Sequence, residues 1–205
     1  MSMTEALLHK RLTETPEMEP CDGVKLLYQS RFGCGHLLPP DGQLAERIRA
    51  ETDELPENAA LPPFTFIGNG LCRMNLAAPA VRALPPERLA RMMTLTAEDV
   101  PPMQPGDERL PGFEHDLSLL RAAVLAGRTR FSAAALDGYL AEYRAAGYPP
   151  ASHSPRYRAA YRPAYRVVSS DFAVLLPLIA AIEDRIAQGK PALAVLDGPC
   201  GSGKT

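Results

Sequence analysis

A chain of 205 residues, 46% apolar with a formal net charge of -2, is long enough for one full domain and the start of another. The near-neutral balance argues against a general nucleic-acid coat and a polybasic membrane binder, so nucleic acid is not an expected partner. No apolar window is long enough to cross a bilayer, and the opening Met1-Ser-Met-Thr-Glu-Ala lacks the basic and apolar regions of a secretory signal. No membrane partner is expected, and the expected location is the cytoplasm. The four cysteines, Cys21, Cys34, Cys72 and Cys200, form no Cys-x-x-Cys pair and read as free thiols or small buried hydrophobes.

Taken in order, Thr4–Leu12 has helical spacing (Leu7, Leu8, Leu12) and stops before Pro16. A second helix is predicted over Pro20–Phe32. Pro20 suits a first turn, Val24, Leu27, Tyr28 and Arg31 share a face, and Gly33 supplies the C-cap. Asp41 is placed to cap a third helix running to about Leu55. Phe64-Thr-Phe-Ile67 then alternates, Asn69-Gly70 is a hairpin turn signal, and Leu71–Leu76 follows, giving a β-hairpin over about residues 64–76. Alternation puts Leu71, Arg73 and Asn75 on one face, which is either solvated or lines a cleft. Further helices are predicted over Pro86–Thr96, Phe113–Ala126 and Ser132–Ala146, with a Pro/Gly-rich loop over Pro101–Pro111.

Tyr148–Ser170 holds no acidic residue. Ser154 can cap a short helix with Pro155 in its first turn. Tyr157, Tyr161 and Tyr165 recur every fourth residue, as do Arg158, Arg162 and Arg166, which on a helix makes two adjacent stripes; Pro163 must break them. Four arginines (Arg156, Arg158, Arg162, Arg166), His153 and the hydroxyls of Ser152 and Ser154 form a candidate site for a phosphate or carboxylate. The alternative is a helix whose tyrosines pack inward while its arginines pair with acids from other helices. Two more candidates join this anion-binding set: Arg73, and His36 in the loop Gly33-Cys-Gly-His36, read as a ligand contact or a buried histidine. Cys34 beside His36 also invites a nucleophile–base reading. No spacing resembles a zinc site.

Asp171–Gln188 is a helix with an apolar face, closed by Gly189. The apolar run Ala192–Leu196 then feeds Gly198-Pro-Cys-Gly-Ser-Gly-Lys-Thr205, which fits the phosphate-binding loop G-x-x-x-x-G-K-[ST]. In such a loop Gly198, Gly201, Ser202 and Gly203 cradle phosphates, Lys204 reaches the β- and γ-phosphates, and the Thr205 hydroxyl is a Mg²⁺ ligand. The wording Leu196-Asp-Gly-Pro-Cys-Gly-Ser-Gly-Lys-Thr205 resembles the loops of the uridine kinase and phosphoribulokinase group of P-loop kinases. The resemblance implies an α/β domain that phosphorylates a small-molecule hydroxyl with ATP and Mg²⁺, a nucleotide being the partner. Phe32-Gly-Cys-Gly-His36, Gly70-Leu-Cys-Arg73 and Ser152-His-Ser-Pro-Arg-Tyr-Arg158 together resemble an uncharacterised helical region that precedes uridine-kinase-like domains in bacterial proteins.

The expected architecture is therefore a mostly α domain with one β-hairpin (α+β) over residues 1–168, a connecting helix over 169–190, and over 191–205 the first strand and loop of a truncated P-loop NTPase domain. The expected parent function is an ATP- and Mg²⁺-dependent small-molecule kinase. The present chain is expected to be inactive alone, because it lacks the helix that follows the loop and an acidic strand end for Mg²⁺. The alternatives are a stand-alone helical domain that binds an anionic or phosphorylated small molecule through its Arg/Tyr/His stretch, and a nucleic-acid-binding module.

Overall fold

The computed structural model describes residues 2–40 and 42–195; the loop Gly198–Thr205 and its expected Mg²⁺ ligand lie outside the described residues, as does Asp41. The described chain is mostly helical, with a small, open, antiparallel three-stranded sheet.

Helix α1 (Met3–Glu14) opens with a capping box between Ser2 and Glu5. Helix α2 (Pro20–Phe32) is the central one. Glu19 and Asp22 form a reciprocal cap at its start, and Val24, Leu27 and Phe32 are fully buried along it. Gly33 ends it at φ 65°, where a Cβ would also meet the Val100 side chain at 3.2 Å. A 3-10 turn (Gly35–Leu37) and α3 (Leu44–Glu54) follow.

The hairpin forms as its sequence predicts. Strands β1 (Phe64–Gly68) and β2 (Leu71–Asn75) flank Asn69 and Gly70, both at positive φ as a type I′ turn requires. After the short α4 (Pro79–Arg82) come α5 (Pro86–Asp99), α6 (Leu110–Leu125) and α7 (Ala133–Ala145), the last capped by the Ser132 hydroxyl. Helix α8 (Pro155–Tyr161) is capped by Ser154 and stops before Pro163, with Arg162 in the left-handed region at φ 43° and ψ 56°.

The next segment is a strand that the local residue spacing does not predict. Tyr165–Ser169 forms β3 and pairs antiparallel with β2, Arg73 facing Val167, so β2 is the central strand. The every-fourth spacing of tyrosine and arginine masked it, although Val167 and Val168 are β-branched and fully buried. Helix α9 (Asp171–Ala187) then packs on β3. One contiguous core joins the sheet to α1, α2, α5, α6 and α7, with Tyr28, Phe32 and Phe113 at mutual ring distances of 4.9 to 6.0 Å. None of the described helices is long and apolar enough to cross a membrane.

Candidate functional site

Asp22, in the first turn of α2, is wholly buried and fully hydrogen-bonded. One oxygen accepts from the Ser154 backbone N–H (3.0 Å) and faces His153 Nδ1 (2.8 Å). The other accepts from the Ser154 hydroxyl (2.7 Å) and the Glu19 backbone N–H (3.0 Å). The Ser154 hydroxyl in turn accepts from Tyr157 N–H at the start of α8 (3.0 Å). A single carboxylate thus ties the N-terminus of α2 to that of α8. Burial alone would raise its pKa, but the donors from His153, Glu19 and Ser154 outweigh that and lower it.

His153 stacks on Tyr157 with ring centres 4.3 Å apart. Burial lowers its pKa, the bond to Asp22 opposes that, and Arg73 and Lys25 reinforce the lowering. A neutral ring follows at pH 7. Its Nδ1–H donates to Asp22, which leaves Nε2 to accept from the Tyr165 hydroxyl at 2.6 Å. The result is a carboxylate–imidazole–phenol chain running from α2 through the loop before α8 to β3.

Arg73 lies at the centre of β2 and is 5% exposed. Its guanidinium donates to Gln29 Oε1 (2.9 Å) and lies 4.3 Å above the Tyr165 ring. Among the described residues its polar contacts include this amide and this ring, no carboxylate pairs with it, and its Nε has no acceptor. Because Arg73 only donates, Gln29 must turn its oxygen toward it, which leaves the buried Gln29 Nε2 without a partner. A buried cation with no counter-charge is a large local cost, normally avoided by pairing.

Two clefts flank this group. The larger, about 540 Å³, is lined by Arg73, Arg11, Lys10 and Arg162, by the rings of Tyr157, Tyr161 and Tyr165, and by an apolar wall that includes Leu55, Leu61 and Pro62. The one acid among its described lining residues is Glu14, already within 3.8 Å of Lys10 and 3.4 Å of Arg11. Burial and the neighbouring Arg73 lower the pKa of Arg11, whose buried Nε also lacks a partner. The smaller cleft, about 360 Å³, is lined by Lys25, Arg158, Arg162, His153, Gln29 and Tyr165, with no acid among its described lining residues. Lys25 donates to the Ala151 carbonyl (3.2 Å), and burial together with Arg73 and Arg158 pushes its pKa down to about 8.

The residues singled out from sequence divide in the fold. Arg73, His153, Tyr157, Arg158, Tyr161 and Arg162 line one or both clefts, and Ser154 holds the Asp22 frame behind them. Arg158 and Arg162 have no ion pair among the described residues, whereas Arg156 pairs with Glu17 and Arg166 with Glu51, the surface pairing read as the alternative. Ser152 is exposed and lines neither cleft. His36 lines neither cleft and packs edge-on to Tyr28 at 5.3 Å, with its buried Nδ1 unpaired. Burial, with Lys25 nearby, pushes its pKa down to about 4. Cys34 is a small buried hydrophobe and not a nucleophile: it is wholly buried, faces the Met93 carbonyl at 3.6 Å, and burial pushes its thiol up to about 12, which leaves no thiolate.

Asp22, Lys25, Gln29 and Arg11 join the site from outside the residues that the sequence singles out. A signal for the first three was present: positions 22, 25 and 29 follow i, i+3, i+7 on a helix otherwise rich in apolar residues, a polar stripe that must face something polar. Glu19, Cys21 and Asp22 bring one possible metal-ligand atom each within 4.8 Å, but the Asp22 oxygens are occupied by four donors and the Cys21 thiol is pushed up to about 11. A wider surface hollow of about 640 Å³ beside Pro101–Arg109 has its cations satisfied, Arg31 by Asp116 and Arg109 by Asp107. The chain matches no protein-family model, no curated protein and no solved structure.

Proposed function

We propose that residues 2–195 form a binding domain for a small anionic molecule, a phosphate or carboxylate carried on a flat or apolar body. The observation that carries this reading is Arg73, a guanidinium 5% exposed, without a counter-ion among the described residues, at the wall of an accessible cleft. A buried unpaired cation is costly unless something else supplies the negative charge. The adjacent tyrosine rings and the apolar wall suit a ring or short hydrocarbon, and the guanidinium suits two oxygens of the anionic group. Arg73 is buried and Arg11 and Lys25 are half-buried beside two clefts, with Lys10, Arg158 and Arg162 exposed around them, and a charge drawn inward in this way favours a small ligand over nucleic acid.

Calorimetric titration separates the two halves of the claim. Phenyl phosphate should bind more tightly than inorganic phosphate, phenol should not bind measurably, and Arg73→Met should abolish the phenyl phosphate signal. Equal binding by wild type and Arg73→Met overturns the reading.

A second proposal rests on the loop Gly198–Thr205 alone: the domain precedes a P-loop kinase that uses ATP and Mg²⁺ on a small-molecule hydroxyl. In a chain carrying the rest of such a domain, Lys204→Ala should abolish ATP turnover, and retained turnover contradicts it.

A further inference from the structure

The two clefts share a wall made of Arg162, Pro163 and Tyr165. They are also chemically alike. Each is lined by cations that lack an ion pair among the described residues: Arg73 in the larger, Arg158 in the smaller, and Arg162 in both. Lys25 adds another charge to the smaller cleft and, among the described residues, donates to the Ala151 carbonyl. Each cleft also has a lining residue with a buried donor left over, Nε of Arg73 on one side and Nε2 of Gln29 on the other. These two residues are hydrogen-bonded to each other, so the polar centre between the clefts holds two buried donors that are left over. A single anionic group in the larger cleft would satisfy Arg73 and leave Lys25 and Arg158 repelling each other in the smaller one.

Arg162 is the pivot. Its backbone is held in the left-handed region, where a residue with a Cβ carries strain, and the following Pro163 cannot continue the helix. A glycine would take that conformation freely. The chain instead keeps a strained arginine at the ridge that both clefts share.

We propose that the ligand carries two anionic groups, one seated at Arg73 and Arg11 in the larger cleft and the other at Lys25 and Arg158 in the smaller, with Arg162 between them. The chemical class is a bisphosphate or an equivalent bis-anion on a short body. This inference rests on the anion-binding reading above.

The test uses methylphosphonate and a series of straight-chain alkane bisphosphonates of increasing length, titrated into the 205-residue protein by calorimetry at fixed ionic strength. Methylphosphonate measures the first site. One length in the series should bind at least tenfold more tightly than methylphosphonate. In the double variant Lys25→Met/Arg158→Gln that gain should disappear, while methylphosphonate binding persists. Arg162→Gly should reduce the gain without unfolding the protein, because glycine suits the backbone there. If methylphosphonate binds in an Arg73-dependent way and no bisphosphonate gains, the single-anion reading stands and the two-ended ligand is overturned. A gain that survives the double variant overturns it too. If no probe binds, both readings fall. Thermal melts of each variant, run alongside, distinguish lost binding from lost folding.

Discussion

Arg73, Asp22 and His36 show three ways in which a buried polar side chain can be accommodated. Asp22 is fully hydrogen-bonded, so its charge stabilises the junction of α2 and α8. Arg73 is only partly satisfied and is the group left over for a ligand. His36 is kept neutral, and this has a pH consequence. Its pKa is pushed down from 6.5 to about 4 in the fold, by burial first and by Lys25 second. The unfolded chain takes up the proton near 6.5, so acid favours unfolding. The contribution of His36 is fully present above pH 6.5 and is lost as the pH falls toward 4. His36→Leu removes the titrating group and keeps apolar bulk against Tyr28. The melting temperature of the variant should fall less steeply than that of wild type between pH 6.5 and 4, read by thermal denaturation across that range. Parallel curves would mean that the histidine is solvated in the fold.

At the scale of elements, α8 and β3 carry most of the site. Ser154 starts α8, Arg162 ends it, and three residues later Tyr165 enters the sheet beside Arg73. Arg162 has the φ of a glycine, so Arg162→Gly should leave stability unchanged or raise it by about 1 kcal/mol, measured by urea denaturation. A loss of more than about 1 kcal/mol would show that the arginine side chain holds the turn itself.

The start of α8, its break before Pro163 and the hairpin around Asn69-Gly70 were legible in the sequence because proline, Ser-Pro and Asn-Gly act locally. Strand β3 was not, because its stability comes from pairing with β2, which local spacing does not encode. The same limit divided the arginines. Arg156 and Arg158 look equivalent in sequence, yet Glu17 lies beside one, while among the described residues no acid pairs with the other. Cys34 is the small buried hydrophobe that its type allows, because adjacency to His36 along the chain says nothing about burial.

For the whole molecule, net charge is a poor guide. A formal charge of -2 conceals a concentration of cations around two clefts, with Arg73 buried, Arg11 and Lys25 half-buried, and Lys10, Arg158 and Arg162 exposed. Surface acids are spent on surface arginines, as in Arg121–Asp137 and Arg144–Glu114. The fold therefore carries a cost at its centre that ordinary packing would have removed. Replacing a buried unpaired charge with an apolar side chain of similar length is often neutral or stabilising, which separates a ligand-binding arginine from a structural one. Thermal denaturation of wild type and Arg73→Met across a millimolar phosphate series makes that separation, with ionic strength held constant by sodium chloride and a chloride-only series as the salt control. The account predicts that Arg73→Met melts at or above the wild-type temperature without phosphate, and that only wild type rises beyond the salt control as phosphate is added. A variant that melts well below wild type, or one that responds to phosphate as wild type does, would contradict it.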